Sequence, residues 1–347
     1  SIEELKEIGL KLAEKFKYNN PTVVKELVDF HKEWSDEREK TEDPQCFTIR
    51  EIAATVHALS KKENIYDTIM TIYGARYKNK LKEKLKNTLK KYTHLFVKPK
   101  DEEDPNFPGC HMTKSLRSAA KSISFSFKNH RHVLLTGKPG CGKTQLAIWS
   151  SEFYNEGLKN NSSNEDDESF FCVCTEEIKV ADLVGHSTPS GKSDGTSELI
   201  VWQDGFLTKA IKKGKCCVLE SLDEAPPTVT ERLNGILDQK YDNQEQFFDN
   251  PESTSCPRIS INENFRILAT CSIDKLSKMS PALLNRFDVI VLEDQITDKT
   301  TQAEFTDLIK KLLDKYSTSL FINTKVTEQS KEEEDEDDDN GNEEFDK

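Results

Sequence analysis

Residues 137–144 read GKPGCGKT, a full match to the pattern G-x-x-x-x-G-K-[ST]. Glycines at 137, 140 and 142 let backbone N–H groups close round an anion without Cβ clashes. The candidate phosphate-binding set is therefore Gly137, Lys138, Pro139, Gly140, Cys141, Gly142, Lys143 and Thr144, with Gln145 directly behind it. Lys143 is placed to reach terminal phosphates, and Thr144 to offer its hydroxyl to Mg2+.

A second stretch, CCVLESLDEAPP from Cys216 to Pro227, supplies acids that could hold that metal. It contains two pairs, Glu220-Ser221 and Asp223-Glu224, and they carry different chemistry. CCVL is the apolar run a central strand needs, and its acid belongs at the carboxyl end of the sheet, beside the phosphates. Choosing Asp223-Glu224 would bury Glu220 and Ser221 unpaired within the strand, at a cost of several kcal/mol, roughly the penalty for isolated polar groups. Glu220 is thus the expected metal-holding acid, with Asp223 and Glu224 the alternative. In the turn before a helix near Pro227, those two acids read as capping and solvated residues.

These residues need a scaffold. HVLLTG (132–137) is a short apolar strand leading into the loop, and a helix starts at Lys143, whose N-terminus adds partial positive charge. FFCVC (170–174), CCVLE (216–220), FRILATCS (265–272) and DVIVLED (288–294) are four more apolar strands. Five such strands separated by helices predict an α/β fold, a five-stranded parallel sheet flanked by helices. NNSSNEDDES (160–169) reads as a flexible loop, and 302–316 as a final helix.

Residues 1–98 read as an all-helical domain. Ile2, Leu5, Leu12 and Phe16 mark one apolar stripe, Asn20-Pro21 a helix start leading Val24, Leu27 and Val28 onto one face, and TIRE (48–51) a capping box. The stretch 78–91, KNKLKEKLKNTLKK, carries seven lysines and one Glu around Leu81, Leu85 and Leu89. It reads as a solvated helix docking on its leucines. Its rival reading is an RNA- or partner-binding adaptor, against which stands the lack of interleaved aromatics to stack bases. Direct nucleic-acid binding is not expected. Residues 99–113, rich in proline and acids, read as a linker to a module spanning 114–322.

The net charge of −13 is concentrated: residues 331–347 hold eleven acids and two lysines, and 323–347 reads as a disordered acidic tail. Nine cysteines show no C-x2-C pair and mostly fall in apolar runs, which argues against zinc and for a reducing, intracellular compartment. There is no run of about 18 apolar residues, so no membrane helix or secretory segment is expected. The chain opens on Ser, as a fragment would.

In order, the phosphate loop, DLVGHSTP (182–189), WQDGFLTKAIKKG (202–214), VLESLDEAPPTVTERLNGILD (218–238), FRILAT (265–270) and SPALLNRF (280–287) resemble the AAA+ modules of the midasin, or dynein-related, ATPase family. FTIREIAATVHALS (47–60) and YGARY (73–77) resemble the helical lid closing a preceding module. The resemblance implies that the loop binds ATP with Mg2+, and that Glu220 holds the metal. It also implies that Ser221 stands where the family has its water-polarising Glu, that Ser272 replaces its γ-phosphate-sensing Asn, and that Arg286 is a finger reaching a neighbouring module. Implied partners are neighbouring AAA modules of the same or a similar chain and proteins of the large-subunit pre-ribosome, in the nucleus. Serine cannot accept a proton from water at neutral pH, so hydrolysis is expected to be weak or lost. An active ATPase using Asp223 and Glu224 is the alternative.

Overall fold

The computed structural model describes residues 2–39, 47–96, 112–159, 169–189, 200–238, 246–250 and 258–293, with a few helical positions between 303 and 310. The chain forms two compact units, Ser1–Asp294 and Gln295–Lys347. Most of the expected linker at 99–113, most of the loop at 160–169 and the acidic tail at 323–347 lie outside the described residues, as does most of the expected 302–316 helix.

The first unit begins with five helices, α1 (Ile2–Lys15), α2 (Pro21–Glu39), α3 (Ile49–Ser60), α4 (Ile65–Ile72) and α5 (Asn79–Leu89). Local chemistry starts them: the Asn20 side chain accepts the Val23 N–H at 3.3 Å, and Asn64 accepts those of Tyr66 and Asp67. The predicted face of α2 is fully buried at Val24, Leu27 and Val28, together with Phe30 and Trp34. In α5, Leu85 and Leu89 are buried, while Lys84 and Lys86, and Lys91 just beyond the helix, pair with Glu37, Glu83 and Glu33. Those lysines hold α5 to α2 or to itself, as a solvated helix face does.

The capping box at the start of α3 forms as read: Thr48 takes the Arg50 N–H, and Glu51 takes the Thr48 N–H at 2.7 Å. Glu51 has a second task that sequence did not show. Its carboxylate meets Arg76 at 2.8 Å, with both side chains buried. Burial pushes the Glu51 carboxyl up, but Arg76, the Thr48 N–H and Arg131 outweigh it and hold it below the usual range.

The remainder runs α6 (Lys114–Lys128), β1 (His132–Gly137), α7 (Lys143–Lys159), β2 (Phe171–Val173), α8 (Val180–Val184), β3 (Gly185–Pro189), β4 (Ile200–Asp204), α9 (Phe206–Lys213), β5 (Cys216–Glu220), α10 (Pro227–Leu237), β6 (Gln246–Asp249), β7 (Arg258–Ile261), β8 (Arg266–Ser272), α11 (Pro281–Leu284) and β9 (Phe287–Val291). The five expected strands make one parallel sheet in the order β2-β5-β8-β1-β9. Apolar cores line both faces, and Cys216 and Cys217 pack within them as small apolar side chains. Two antiparallel hairpins, β3–β4 and β6–β7, escaped the sequence reading. Their strands are four or five residues long and, as GHSTP and RISI show, mix polar with apolar residues.

The helices join the sheet at its β9 edge. The Val291 N–H donates to the Ala75 carbonyl at 2.8 Å, so the YGARY turn continues the sheet's hydrogen bonding. Beside it Arg131 pairs with Asp288, which also accepts the Ser126 hydroxyl at 2.7 Å.

Two buried histidines make this unit acid-sensitive. His132 accepts the Ile267 N–H at 2.9 Å, and burial, then Arg266 and Arg131, push its pKa down to about 3. Burial likewise takes His31, bonded to the Tyr73 hydroxyl, to about 4. The unfolded chain, with histidine near pH 6.5, binds these protons first, so stability is full above about pH 6.5 and falls as the pH drops toward 4. Each histidine contributes up to about 1.4 kcal/mol per pH unit. Urea unfolding at pH 7.5 and pH 5 should show this loss, and His132→Asn should flatten it.

Candidate nucleotide site

The site lies at the carboxyl end of the parallel sheet, where β1 runs into the loop and α7 begins. Gly140 and Gly142 have φ of +78° and +90°, which side chains other than glycine rarely adopt. Gly137 answers to crowding instead, since a Cβ there would lie 2.7 Å from the Cys141 sulfur and 2.9 Å from the Leu292 carbonyl oxygen. The Lys143 ammonium donates to the carbonyls of Gly137 and Lys138, both at 2.9 Å, and so stays within the loop.

Thr144 and Glu220 meet. The Thr144 hydroxyl donates to the Glu220 carboxylate across a gap of 76 residues in sequence. Strand β5 ends at Glu220, so the strand-end register read from CCVLE is the one the chain adopts. The two oxygens suit a hard divalent cation. Among the described residues no group of three or more His, Cys, Asp or Glu is placed to hold a metal. A cation here would take its other ligands from phosphate and water, as Mg2+ commonly does.

Ser221 follows with φ +54° and ψ +49°, a left-handed residue that turns the chain sharply off the strand. Its N–H donates to the Thr270 hydroxyl on β8 at 3.0 Å, which fixes that turn. The Ser221 position therefore stands one residue beyond the Thr144–Glu220 contact and carries a hydroxyl instead of a carboxylate. Ser272, the last residue of β8, lies in register with Gly137 of β1, at the root of the loop. Asp223 and Glu224 sit in a 3-10 turn, Leu222–Glu224, ahead of α10, and Glu224 pairs with Lys275.

Arg286 lies apart from these groups. Its guanidinium grips Asp238 through Nε at 2.7 Å and Nη2 at 3.3 Å, and also donates to the Ala282 carbonyl. Arg50 of α3 shares Asp238 at 3.5 Å and reaches the Asn285 carbonyl at 3.4 Å. Sequence reasoning gave no role to Asp238, Arg50, Thr270 or Lys275. Nothing in their spacing marks them, because each acts through a contact distant in sequence.

Residues 132–287, from the first residue of β1 to the first of β9, match the AAA domain of the dynein-related subfamily. This segment is similar to an AAA+ module. The matched family is one of ATPases that bind a nucleotide with a divalent metal, typically Mg2+, and in this chain the loop, Thr144 and Glu220 are the groups that would hold them. The chain is also 27% identical over 212 residues to an uncharacterized protein of Staphylococcus saprophyticus, covering 58% of this chain and 73% of that one. It is 29% identical over 166 residues to one of Staphylococcus aureus and 28% identical over 169 residues to one of Staphylococcus epidermidis. For these two the match covers 47% and 48% of this chain and spans 56% and 57% of their own lengths.

Proposed function

We propose that this chain is an ATP-binding module of a midasin-like AAA+ array in which hydrolysis is weak or lost. Its bound nucleotide steadies the assembly and passes its state to neighbouring modules. The observation that carries this reading is Ser221: Thr144 and Glu220, the residues read as metal-holding, touch, and the next residue has no carboxylate for the attacking water. Ser272, shorter than asparagine, supports it from the sensing side.

The order of motifs supports the midasin-like assignment, and with it a role in maturing large-subunit pre-ribosomes in the nucleus. In such an array Arg286 serves a neighbouring site once it leaves Asp238. The helices within residues 1–98 then correspond to the lid of a preceding module, which the YGARY turn joins to the β9 edge.

Titration with a fluorescent ATP analogue tests the binding claim. Charge-assisted bonds to phosphate contribute about 1.5–3 kcal/mol, so Lys143→Ala should weaken affinity about 10- to 100-fold. Equal affinity of the variant and the parent would sink the site. Steady-state phosphate release by the parent tests the second half, and turnover of about 1–10 s⁻¹ or more would show a fully active enzyme.

A further inference from the structure

Between α6, α7 and the amino end of the parallel sheet lies a cavity of about 380 Å³. Small-molecule sites run from roughly 300 to 1,000 Å³, so the space suits a compact ligand. It is separate from the phosphate loop. Helix α7 starts at Lys143 in the loop and reaches the cavity at Phe153, Gly157 and Leu158, about 15–22 Å further along its axis at 1.5 Å per residue.

The walls are mainly apolar, with Ile123 and Phe127 from α6 facing Phe153, Tyr154 and Leu158 from α7. Phe127 and Tyr154 meet edge to face, their centroids 4.9 Å apart. The Tyr154 hydroxyl donates to the Asn264 carbonyl at 2.9 Å, so its ring is the surface left to a ligand. Phe153 stays 42% exposed. Glycine weakens a helix, yet nothing crowds Gly157 on this wall, where an added Cβ would meet no atom within 4 Å.

Two polar groups in the wall lack what burial ordinarily demands. Ser150 is 4% exposed, and its hydroxyl has no hydrogen-bond partner. Arg266, 3% exposed, donates to the carbonyls of Phe127, Glu263 and Phe265, and its Nη2 meets His130 Nδ1 at 2.7 Å. These contacts occupy four of the five N–H groups of a guanidinium, and none of the accepting atoms is a carboxylate oxygen. Burial accordingly holds the Arg266 pKa below its ordinary value, with Tyr154, Cys216 and Glu263 opposing. Lys128 also lines the cavity, and among the described residues no Asp or Glu does.

We propose that this cavity binds a small aromatic carboxylate, its ring against Phe127, Phe153 and Tyr154 and its charge paired with Arg266. The anion supplies the counter-charge that the buried guanidinium lacks, and the aromatic body fits walls that already hold an edge-to-face pair. The Ser150 hydroxyl, one helical turn before Tyr154, is a second donor on the same wall. One remaining N–H and one hydroxyl suit a singly charged carboxylate better than a phosphate, whose oxygens call for more donors.

The probe is 2-naphthoate, titrated calorimetrically into the full chain beside 2-naphthamide, which has the same body and no charge. The naphthoate should bind at one site with Kd below about 1 mM, as average affinity per atom gives a ligand of this size. The amide should bind at least about tenfold more weakly, the share of a charge-assisted hydrogen bond. Gly157→Phe, which fills the space from α7, should weaken the naphthoate at least about tenfold while the unfolding midpoint is kept, because a larger residue there meets no neighbour. Arg266→Gln should erase the preference for the acid over the amide. Should that variant fail to fold, the parent's preference and Gly157→Phe still decide.

A saturating non-hydrolysable ATP analogue should leave naphthoate affinity within about twofold, since the two sites lie at opposite ends of the sheet. No saturable binding by the parent overturns the proposal. So do equal affinities for acid and amide, binding untouched by Gly157→Phe, and displacement by the ATP analogue. The proposal does not rest on the nucleotide reading: a parent that takes the naphthoate and no ATP analogue sinks that reading and leaves this one standing.

Discussion

Ser221→Glu is expected to raise steady-state phosphate release by about 10²–10⁴-fold, the usual contribution of a positioned general base. The groups on the phosphate-loop side are already brought together. Lys143 lies within the loop, Thr144 touches Glu220, and the Ser221 N–H is pinned to Thr270 so that residue 221 has a defined direction. The left-handed backbone at 221 is no new obstacle, since serine already bears the cost of about 1–2 kcal/mol that a side chain pays there. The check is a comparison of turnover at saturating Mg·ATP, with analogue affinity measured in parallel. A rise in rate without a change in affinity locates the gain in the chemical step. No rise at all would mean that residue 221 does not face the water.

The largest expected effect on stability lies away from the nucleotide, at Arg76. Arg76→Ala strands the Glu51 carboxylate, whose side chain is 1% exposed. Breaking a buried pair by removing one partner costs about 3–5 kcal/mol, a large share of the roughly 5–15 kcal/mol that holds a domain folded. The variant also loses the stacking of Arg76 on Phe47, 5.1 Å from the ring centroid. Removing both charges, as Glu51→Gln with Arg76→Met, should cost distinctly less, because no unpaired charge is left behind. Urea unfolding of the three chains measures the difference. Equal losses for the single and double variants would mean that packing, not charge, dominates the site. Because the pair sits where the helices meet the β9 edge, the single variant should also loosen α3 in hydrogen exchange.

The phosphate loop could be read from the linear chain because its requirements are local. The helix follows the loop directly, and glycine is needed where φ is positive, at 140 and 142. The same holds for the capping box at Thr48 and for the five apolar strands, whose burial on both faces leaves little choice of residue. The hairpins were illegible because their short strands are half exposed, so no apolar run announces them.

Sequence by itself determined the α/β class, the phosphate loop and the end of the third core strand at Glu220, each set by neighbours along the chain. Only the tertiary structure decided which groups those residues would meet. Thr144 found Glu220, Arg286 turned onto Asp238 beside Arg50, Glu51 closed on Arg76, and Asp223 was left with an oxygen no donor reaches. Such pairings are electrostatic and side-chain specific, and they join residues up to 188 apart through the packing of elements. No local periodicity encodes them, because their energies depend on burial, and burial is a property of the whole fold.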